Sequence, residues 1–220
     1  MPTTETISTR ETLLALFAED DGDWMRTHTD LAKKVGVDIP TTKATAEKWV
    51  KTMEKDGYKV ITILDSSYPA SLESVFRPPY VMAYKGEMSV YEKAMTPFGK
   101  GKVSDFVFLE KSVESLSRVL DKNKILFGTY DEAQHTLWLH DSETGNDFFM
   151  VESRQSAWDR LSTACRKFVA VDGDPEFVKI SETMYPEYEP LYALPGNSGC
   201  ECNRLIKKGW HLCDQSSDLA

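Results

Sequence analysis

The chain has 220 residues and a formal net charge of −9; 41% of its residues are hydrophobic and 28% are charged. This composition is typical of a globular protein, and no run of about 18 apolar residues is present that could span a bilayer. The acidic balance argues against a general polyanion binder, because such a chain repels nucleic acid at long range. The N-terminal residues lack the pattern of a secretory signal, which predicts a cytoplasmic protein.

The first 60 residues predict a small helical module. Apolar residues recur at helical spacing in residues 9–20, in residues 27–37 and in a helix from about Thr42 to Lys55. This order resembles a helix-turn-helix or winged-helix module, in which the last helix enters the major groove. Residues 26–59 carry eight basic and five acidic side chains, so this segment is locally basic. The predicted DNA-facing residues are Thr42, Lys43, Lys48 and Lys51. The alternative is a packing module whose lysines only face solvent.

After residue 58 the pattern changes to short apolar strands. Strands are predicted at residues 58–64, 80–84, 124–128 and 148–153, with an amphipathic helix at 110–123. Residues 160–171 and 189–197 add a helix and two more strands. Alternating strands and helices, with strands that are apolar on both faces, predict an α/β fold. We therefore expect a Rossmann-like, mainly parallel sheet with helices on both faces over residues 61–220, preceded by the helical module of residues 1–60.

One stretch carries a specific resemblance. Residues 65–86 read DSSYPASLESVFRPPYVMAYKG. This stretch is similar to the entry of the core domain in the DNA-processing protein A family, known as DprA or Smf. The matching positions are Asp65, Tyr68, Pro69, Leu72, Pro78, Pro79, Tyr84, Lys85 and Gly86. Their Tyr-Pro and Pro-Pro pairs favour extended backbone, so we expect them to be scaffold.

A second block resembles the close of the same core. The family ends with an apolar strand, Pro-Gly, a loop, Asn-x-Leu-Ile and a Gly before the last strand. The matching positions here are Leu191 to Leu194, Pro195, Gly196, Asn203, Leu205, Ile206 and Gly209. The resemblance therefore implies a Rossmann-like core between two matching ends.

The middle of the chain departs from the family pattern. The family's first core strand ends in Gly-Ser-Arg, and the nearest counterpart that we find is Gly101-Lys102. Gly128, Asp131 and His135 keep the spacing of the next motif, while the glycines that follow that strand are missing. Glu152, with Ser153 and Ser156, resembles a later strand end, but the Arg-Asn-Arg segment has no match. The chain thus resembles a shortened, divergent member.

The resemblance implies a binding site at the carboxyl ends of the strands. The family uses that edge to hold the phosphates of single-stranded DNA and to deliver the strand to a recombinase. Backbone N–H groups and helix N-termini at such an edge favour anions. The expected phosphate partners are Lys102, Arg154, Lys207 and Lys208. The expected donors are Gly128, Ser153, Gly196, Asn197 and Ser198, and Asp131, His135 and Asn203 complete the expected nucleic-acid or nucleotide site.

Two other functions remain open. The same edge could hold a small nucleotide as a sensor or sequestering protein, or the helical module could act as a regulatory adaptor that binds DNA or protein. The expected partners are therefore single-stranded DNA or a small nucleotide, a recombinase or regulatory protein, and a second copy of the chain in a homodimer.

No motif in the sequence predicts catalysis or a cofactor. Val103 follows the Gly-Lys-Gly-Lys run at 99–102 where a P-loop needs Ser or Thr, and no dinucleotide-binding glycine motif occurs. A zinc site from Cys200, Cys202, His211 and Cys213 is a minor alternative. The single-residue gaps within each pair disfavour it, because they direct neighbouring ligands to opposite faces.

Overall fold

The structure is a computed structural model that describes residues 9–33, 39–75, 77–95, 106–111, 126–165, 167–184 and 191–219. The helices in these ranges are α1 Thr9–Glu19, α2 Trp24–Lys33, α3 Ile39–Lys55, α4 Met88–Met95, α5 Arg154–Ala164, α6 Pro175–Met184 and α7 Glu201–Lys207. The strands are β1 Lys59–Thr62, β2 Val81–Gly86, β3 Phe106–Leu109, β4 Leu126–Asp131, β5 Thr136–Asp141, β6 Asn146–Val151, β7 Lys167–Ala170, β8 Leu191–Ala193 and β9 His211–Leu212. Within the same residues, no helix has both the length and the apolar content needed to cross a bilayer.

All nine strands of the described residues form one sheet in the order β1-β2-β6-β5-β4-β3-β7-β8-β9. The five strands from β4 to β9 pair in parallel, whereas β1, β2, β6 and β5 pair antiparallel and extend the sheet from β4. Strand β4 lies next to β3 on one side, and β7, which comes later in the chain, lies next to β3 on the other side, so the order of strands reverses at β3. In doubly wound folds, the crevice outside the carboxyl ends at such a reversal is the usual ligand site.

The central strands are buried on both faces. In β3, Phe106 and Phe108 point into the larger apolar cluster, to which α4 to α7 contribute. Val107 and Leu109 point into a second cluster on the other face. All four residues of β3 are therefore apolar and buried, two on each face of the sheet, as is typical of parallel sheets.

The N-terminal helices pack directly on the antiparallel end of the sheet. Residues of α1 and α3 form an apolar cluster with Val60 and Val81, so helices cover both faces of the sheet. Arg10 of α1 also forms an ion pair with Asp65, with 2.9 Å between Nε and Oδ1. Although burial acts in the opposite direction, hydrogen bonds from Arg10 and Thr62 lower the pKa of this carboxyl. Asp65, the first residue of the family-like stretch, is thus part of the scaffold.

The α/β fold class with a preceding helical module is confirmed, and each strand predicted after residue 58 overlaps an observed one. The described sheet is mixed and not mainly parallel, because four of its eight strand pairings are antiparallel. Strands β3 and β5 and the helices α4, α6 and α7 were not predicted, whereas the family resemblance implied a strand after Gly209, where β9 lies. Gly101 and Lys102 lie outside the described residues, and the first parallel strand that the structure describes is β3, which Glu110 and Lys111 follow. The predicted helix at 110–123 and Lys102 lie outside the described residues, apart from Glu110 and Lys111.

Candidate functional site

A cavity of about 450 Å³ lies at the reversal point of the sheet. Its walls come from residues that follow β3, β4 and β7 and from the first turns of α5 and α6, so the sheet topology places it where doubly wound folds bind ligands. Its side chains divide into three groups: the aromatic residues Tyr130, Trp158 and Phe177, the acidic residues Glu110, Asp131, Glu132 and Asp174, and the basic residues Lys111 and Arg154.

The Glu110 carboxylate occupies a ring of backbone donors in the loop after β7. Its Oε2 atom accepts the N–H groups of Val171 at 2.8 Å, Asp172 at 3.2 Å and Gly173 at 3.0 Å. Its Oε1 atom accepts the N–H of Asp174 at 2.5 Å. Consecutive N–H groups that converge in this way form a nest that binds anions, including phosphate. In this chain the nest is already filled by an internal carboxylate.

Both basic side chains of the cavity are held by carboxylates. The Arg154 Nε atom lies 2.8 Å from Glu132, and its Nη1 atom lies 2.7 Å from Glu176. Lys111 forms an ion pair with Asp172, and the hydrogen bond between them raises the pKa of Lys111. Arg154 therefore lies where the sequence predicts a phosphate partner, but two carboxylates neutralise it.

Aromatic rings form the floor of the cavity. The Trp158 ring packs edge-on against Phe108, at 4.6 Å between centroids, and against Phe177 at 5.4 Å. Trp158 is only 5% exposed, and its indole Nε1–H has no hydrogen-bond partner within the described residues. The Tyr130 hydroxyl instead donates to the backbone carbonyl of Glu152 at 2.8 Å, and burial raises the pKa of this phenol.

A buried ion pair lies beneath this floor. Arg160 Nη1 lies 2.8 Å from Glu152 Oε2 and donates to the Tyr91 hydroxyl at 2.7 Å. The side chains of Arg160 and Glu152 are 4% and 1% exposed. Burial raises the pKa of Glu152 to about 7, and the positive charge of Arg160 opposes this shift. The acidic residue of the family-like strand thus fastens α5 to β6 and α4 and does not face the cavity.

The residues predicted around β4 have mixed outcomes. Gly128 lies inside β4 and not in a turn, which corrects the prediction. A Cβ there would lie 2.7 Å from Leu139 Cδ2 and 2.9 Å from Phe106 Cζ, so close packing explains this glycine. Asp131 accepts N–H groups of the turn after β4, and the exposed His135 ends that turn with a φ of 48°. Their spacing therefore reflects a β-hairpin.

Ser153 joins the sheet to the N-terminal module. Its hydroxyl accepts the N–H of Ser156, as at a helix N-cap, and donates to Asp23 at 3.2 Å. Its own N–H donates to the Gly22 carbonyl, while the Trp24 N–H donates to the Ser156 hydroxyl at 2.6 Å. The donors of Ser153 are thus directed at the protein and not at a ligand.

The loop after β8 is exposed at the same edge as the cavity. The Asn203 amide donates to the carbonyls of Gly196 and Asn197, both at 2.9 Å, and accepts the Gly196 N–H. Ser198 is exposed beside them. Lys207 and Lys208 lie at the opposite end of α7, because that helix begins near the β8 loop and runs back across the sheet. Among the predicted phosphate partners that the structure describes, Lys207 and Lys208 therefore lie away from the edge where Arg154 is found.

The cysteine residues do not form a metal site among the described residues. Cys202 and Cys213 are fully buried, and burial raises the pKa of each thiol to about 12. A thiol must lose its proton to bind zinc, so both side chains are better suited to packing.

A second basic surface lies on α3. Lys48, Lys51 and Lys55 are exposed along an open groove of about 470 Å³. Among the other residues predicted for this face, Thr42 is buried and Lys43 is half-buried. Sequence reasoning left Lys55 out of the face, although the spacing 48, 51, 55 is visible in the sequence and places the three on one side of a helix.

Two further lysines adjoin the end of α3. Lys85 Nζ lies 3.9 Å from the Tyr58 ring centroid, and Lys59 Nζ lies 5.9 Å from the Tyr84 ring centroid. The strand directions place these groups at the edge of the sheet opposite to the cavity. We call the five lysines Lys48, Lys51, Lys55, Lys59 and Lys85 the α3 surface.

The fold of the chain is similar to that of a solved structure. It aligns with DNA processing protein A (DprA) from Streptococcus pneumoniae over 97% of this chain and 98% of that chain, with a TM-score of 0.51 and 13% sequence identity. The fold of this chain is similar to that of DprA. In sequence, no protein-family model and no curated protein matches the chain. The likeness to DprA is thus one of fold, which agrees with the resemblance that the sequence motifs indicate.

Proposed function

We propose that this protein is a DNA-binding protein with the DprA fold, that it prefers single-stranded DNA, and that it acts by binding and not by catalysis. Two observations support this proposal: the likeness over nearly the whole chain to a protein named for DNA processing, and the α3 surface. The α3 surface carries the proposal, because it provides basic groups that remain accessible to a phosphate chain.

The lysines of the α3 surface are weakly paired. Among the described residues, Lys51 forms an ion pair with Glu47, with 3.8 Å between Nζ and Oε2, and both side chains are more than half exposed. Such exposed pairs contribute little free energy. Lys48 and Lys55 have no ion-pair partner among the described residues. A bound phosphate can therefore replace water at these ammonium groups without first breaking a strong internal contact.

The spacing of the α3 surface suits a nucleic-acid backbone. Lys48, Lys51 and Lys55 follow one another along one side of the helix, at a rise of about 1.5 Å per residue, and Lys59 and Lys85 extend the positive charge beyond its end. Tyr58 lies half-buried beside Lys85 and offers an aromatic side chain to an unpaired base. Lysines along a groove with nearby aromatic groups are typical of single-strand binding.

The strand-end edge is less suited to phosphates than the sequence suggests. Glu110 fills the donor nest, Arg154 is held by two carboxylates, and Lys207 and Lys208 lie at the far end of α7. A small nucleotide at this edge, the alternative function, would meet the same carboxylates. If the protein is instead a regulatory adaptor, the α3 surface would bind duplex DNA or another protein. The expected recombinase partner and the expected homodimer stay predictions.

The test is a charge reversal at the α3 surface with a matched control. We expect the triple variant Lys48→Glu, Lys51→Glu and Lys55→Glu to weaken binding of a fluorescent single-stranded oligonucleotide by about 100-fold, since phosphate contacts dominate such affinities. The control variant reverses three other exposed lysines, Lys179, Lys207 and Lys208, and should bind nearly as the wild type does.

Three outcomes would contradict the proposal. Equal losses in both variants would show that only net charge matters, and a loss confined to the control would place the site on α6 and α7. Stronger binding of duplex than of single-stranded DNA by the wild type would contradict the strand preference and favour the adaptor.

A further inference from the structure

A stack of three aromatic rings joins α2 to the start of β2, and the phosphate contacts of the α3 surface do not use it. Trp24 and His28 are one helical turn apart on α2, and Tyr80 directly precedes β2. The Trp24 ring is parallel to both partners within 9°, with its centroid 4.8 Å from that of His28 and 5.3 Å from that of Tyr80. We call these three rings the aromatic stack.

His28 and Tyr80 form a single layer on one face of Trp24. Their rings are parallel within 4°, and His28 Nδ1 lies 2.6 Å from the Tyr80 hydroxyl, at hydrogen-bond distance. Parallel rings with so short a contact are not stacked on each other, because stacked rings lie about 3.5 Å apart, and positions on opposite faces of Trp24 would separate them further. The two rings are therefore side by side, with centroids 6.0 Å apart, and present a flat surface wider than one ring.

The layer rests on a tryptophan that is fixed in place. The Trp24 indole N–H donates to the Pro78 carbonyl at 2.8 Å, and its backbone N–H donates to the Ser156 hydroxyl. The Arg77 guanidinium lies 5.5 Å from the Trp24 ring centroid and forms an ion pair with Asp159. A surface that is ordered before binding loses little conformational entropy when a ligand stacks on it.

The layer is open to solvent at His28. Trp24 covers one face of the imidazole and Tyr80 covers its Nδ1 edge, yet His28 is an exposed residue. The second face is the largest part of the imidazole that these contacts leave uncovered, so it reaches solvent. Met25, which is 42% exposed, lies three residues before His28 and so on the same side of α2. Exposed methionine and aromatic side chains that adjoin in this way are typical of a binding surface.

The aromatic stack and the α3 surface belong to the same side of the sheet. Tyr80 packs against the apolar cluster that also contacts Trp49 of α3 and Leu31 of α2. Strand β1 follows α3 after a short turn and runs back beside it, and the last residue of β1 pairs with the first residue of β2, next to Tyr80. A DNA strand that passes Lys55 and then Lys48 along α3 therefore runs toward the edge where the aromatic stack lies.

We propose that the aromatic stack binds an unpaired nucleobase of a single DNA strand, on the face of the His28–Tyr80 layer that is opposite to Trp24. This inference rests on the DNA-binding function proposed above and adds a base contact to its phosphate contacts. Histidine and tyrosine are among the side chains on which unpaired bases stack, and every base has a π face. A duplex keeps its bases paired inside the helix, so this contact also accounts for a preference for single strands.

The base contact adds affinity without adding charge. Arg77 beside Trp24 is already paired with Asp159, and stacking of a base releases no counterions. The contact should therefore leave the salt dependence of binding unchanged, so base contacts and phosphate contacts can be separated in one experiment.

The experiment compares two strands of equal length, one of thymidines and one with the same phosphates but abasic sugars, by fluorescence anisotropy on the full chain. The wild type should bind the thymidine strand at least about tenfold more tightly. His28→Ala should lower this preference about fivefold or more, while the slope of log K against log salt concentration stays as in the wild type. Lys51→Gln should do the reverse, with a smaller slope and an unchanged preference.

Two further variants serve as controls. His28→Phe keeps a flat ring and should retain most of the preference, and His211→Ala removes another exposed histidine and should retain all of it. A wild type that binds both strands equally, a preference that survives in His28→Ala, or one that is lost in Tyr58→Ala instead would overturn this inference and leave the proposal for the α3 surface standing. Failure to bind either strand at low salt would overturn the DNA-binding proposal and this inference with it.

Discussion

The α3 surface and the strand-end cavity both carry basic side chains, but they differ in what those side chains contact. On α3, Lys48 and Lys55 face solvent without a carboxylate partner among the described residues. At the cavity, Arg154 is held by two carboxylates, Glu132 and Glu176, and Lys111 forms an exposed pair with Asp172. Accessible charge, and not the number of basic residues, therefore decides where a phosphate chain can bind. The region that the family resemblance marks for phosphates is the poorer candidate.

The largest effect that separates the two regions concerns stability. Arg160 is buried on α5, where its charge pairs with Glu152 and stabilises the fold, whereas Lys48 is exposed and its charge is accessible to solvent. Arg160→Met should lower the free energy of unfolding by about 3–5 kcal/mol at pH 8, because it leaves a buried carboxylate without its partner. Lys48→Met should change it by no more than about 0.5 kcal/mol. Urea denaturation measures both, and equal effects would contradict the distinction.

Removing the Glu110 carboxylate from its nest of backbone N–H groups should have a smaller effect on stability. Glu110→Ala removes the acceptor of four backbone N–H groups and should cost about 2–3 kcal/mol. Inorganic phosphate should then raise the melting temperature of the variant more than chloride does at equal ionic strength, and should not do so for the wild type. Glu132→Ala is the control and should show neither effect. If phosphate stabilises the wild type equally, the nest is not filled as described.

The smallest effect concerns single charges in DNA binding. Lys51→Gln should weaken single-stranded DNA binding severalfold. It should also reduce the slope of log K against log salt concentration by about 0.7 in magnitude, since one phosphate contact is lost. Arg154→Gln should leave both quantities unchanged, because its guanidinium already binds Glu132 and Glu176. Anisotropy titrations over a series of salt concentrations measure the slope, and the opposite ranking would return the site to the strand-end edge.

Much of the fold could be predicted because its signals are local. The helical spacing of residues 9–20 and 42–55 and the β-branched run after Tyr58 gave the correct elements, and the two family-like blocks indicated the correct fold. Strand β3 was missed because it has only four residues, all apolar, so it has no alternation with polar side chains. A run this short does not reveal its type by periodicity.

The candidate site was harder to predict because its contacts join distant residues. Glu110 binds N–H groups more than 60 residues away, and Arg154 meets Glu176 across 22 residues. No spacing in the sequence shows that a carboxylate fills an anion nest or that an arginine is already neutralised. The sequence therefore indicated which residues follow the strands at this edge of the sheet, but not the electrostatic character of the edge.

The most direct test of the central claim is the salt dependence of single-stranded DNA affinity in the wild type and in the variant Lys48→Gln, Lys51→Gln and Lys55→Gln. If the α3 surface makes the phosphate contacts, the slope of log K against log salt concentration should fall in magnitude by about 2, which corresponds to three lost contacts on a single strand. An unchanged slope, or a wild type that does not bind DNA at low salt, would contradict the account.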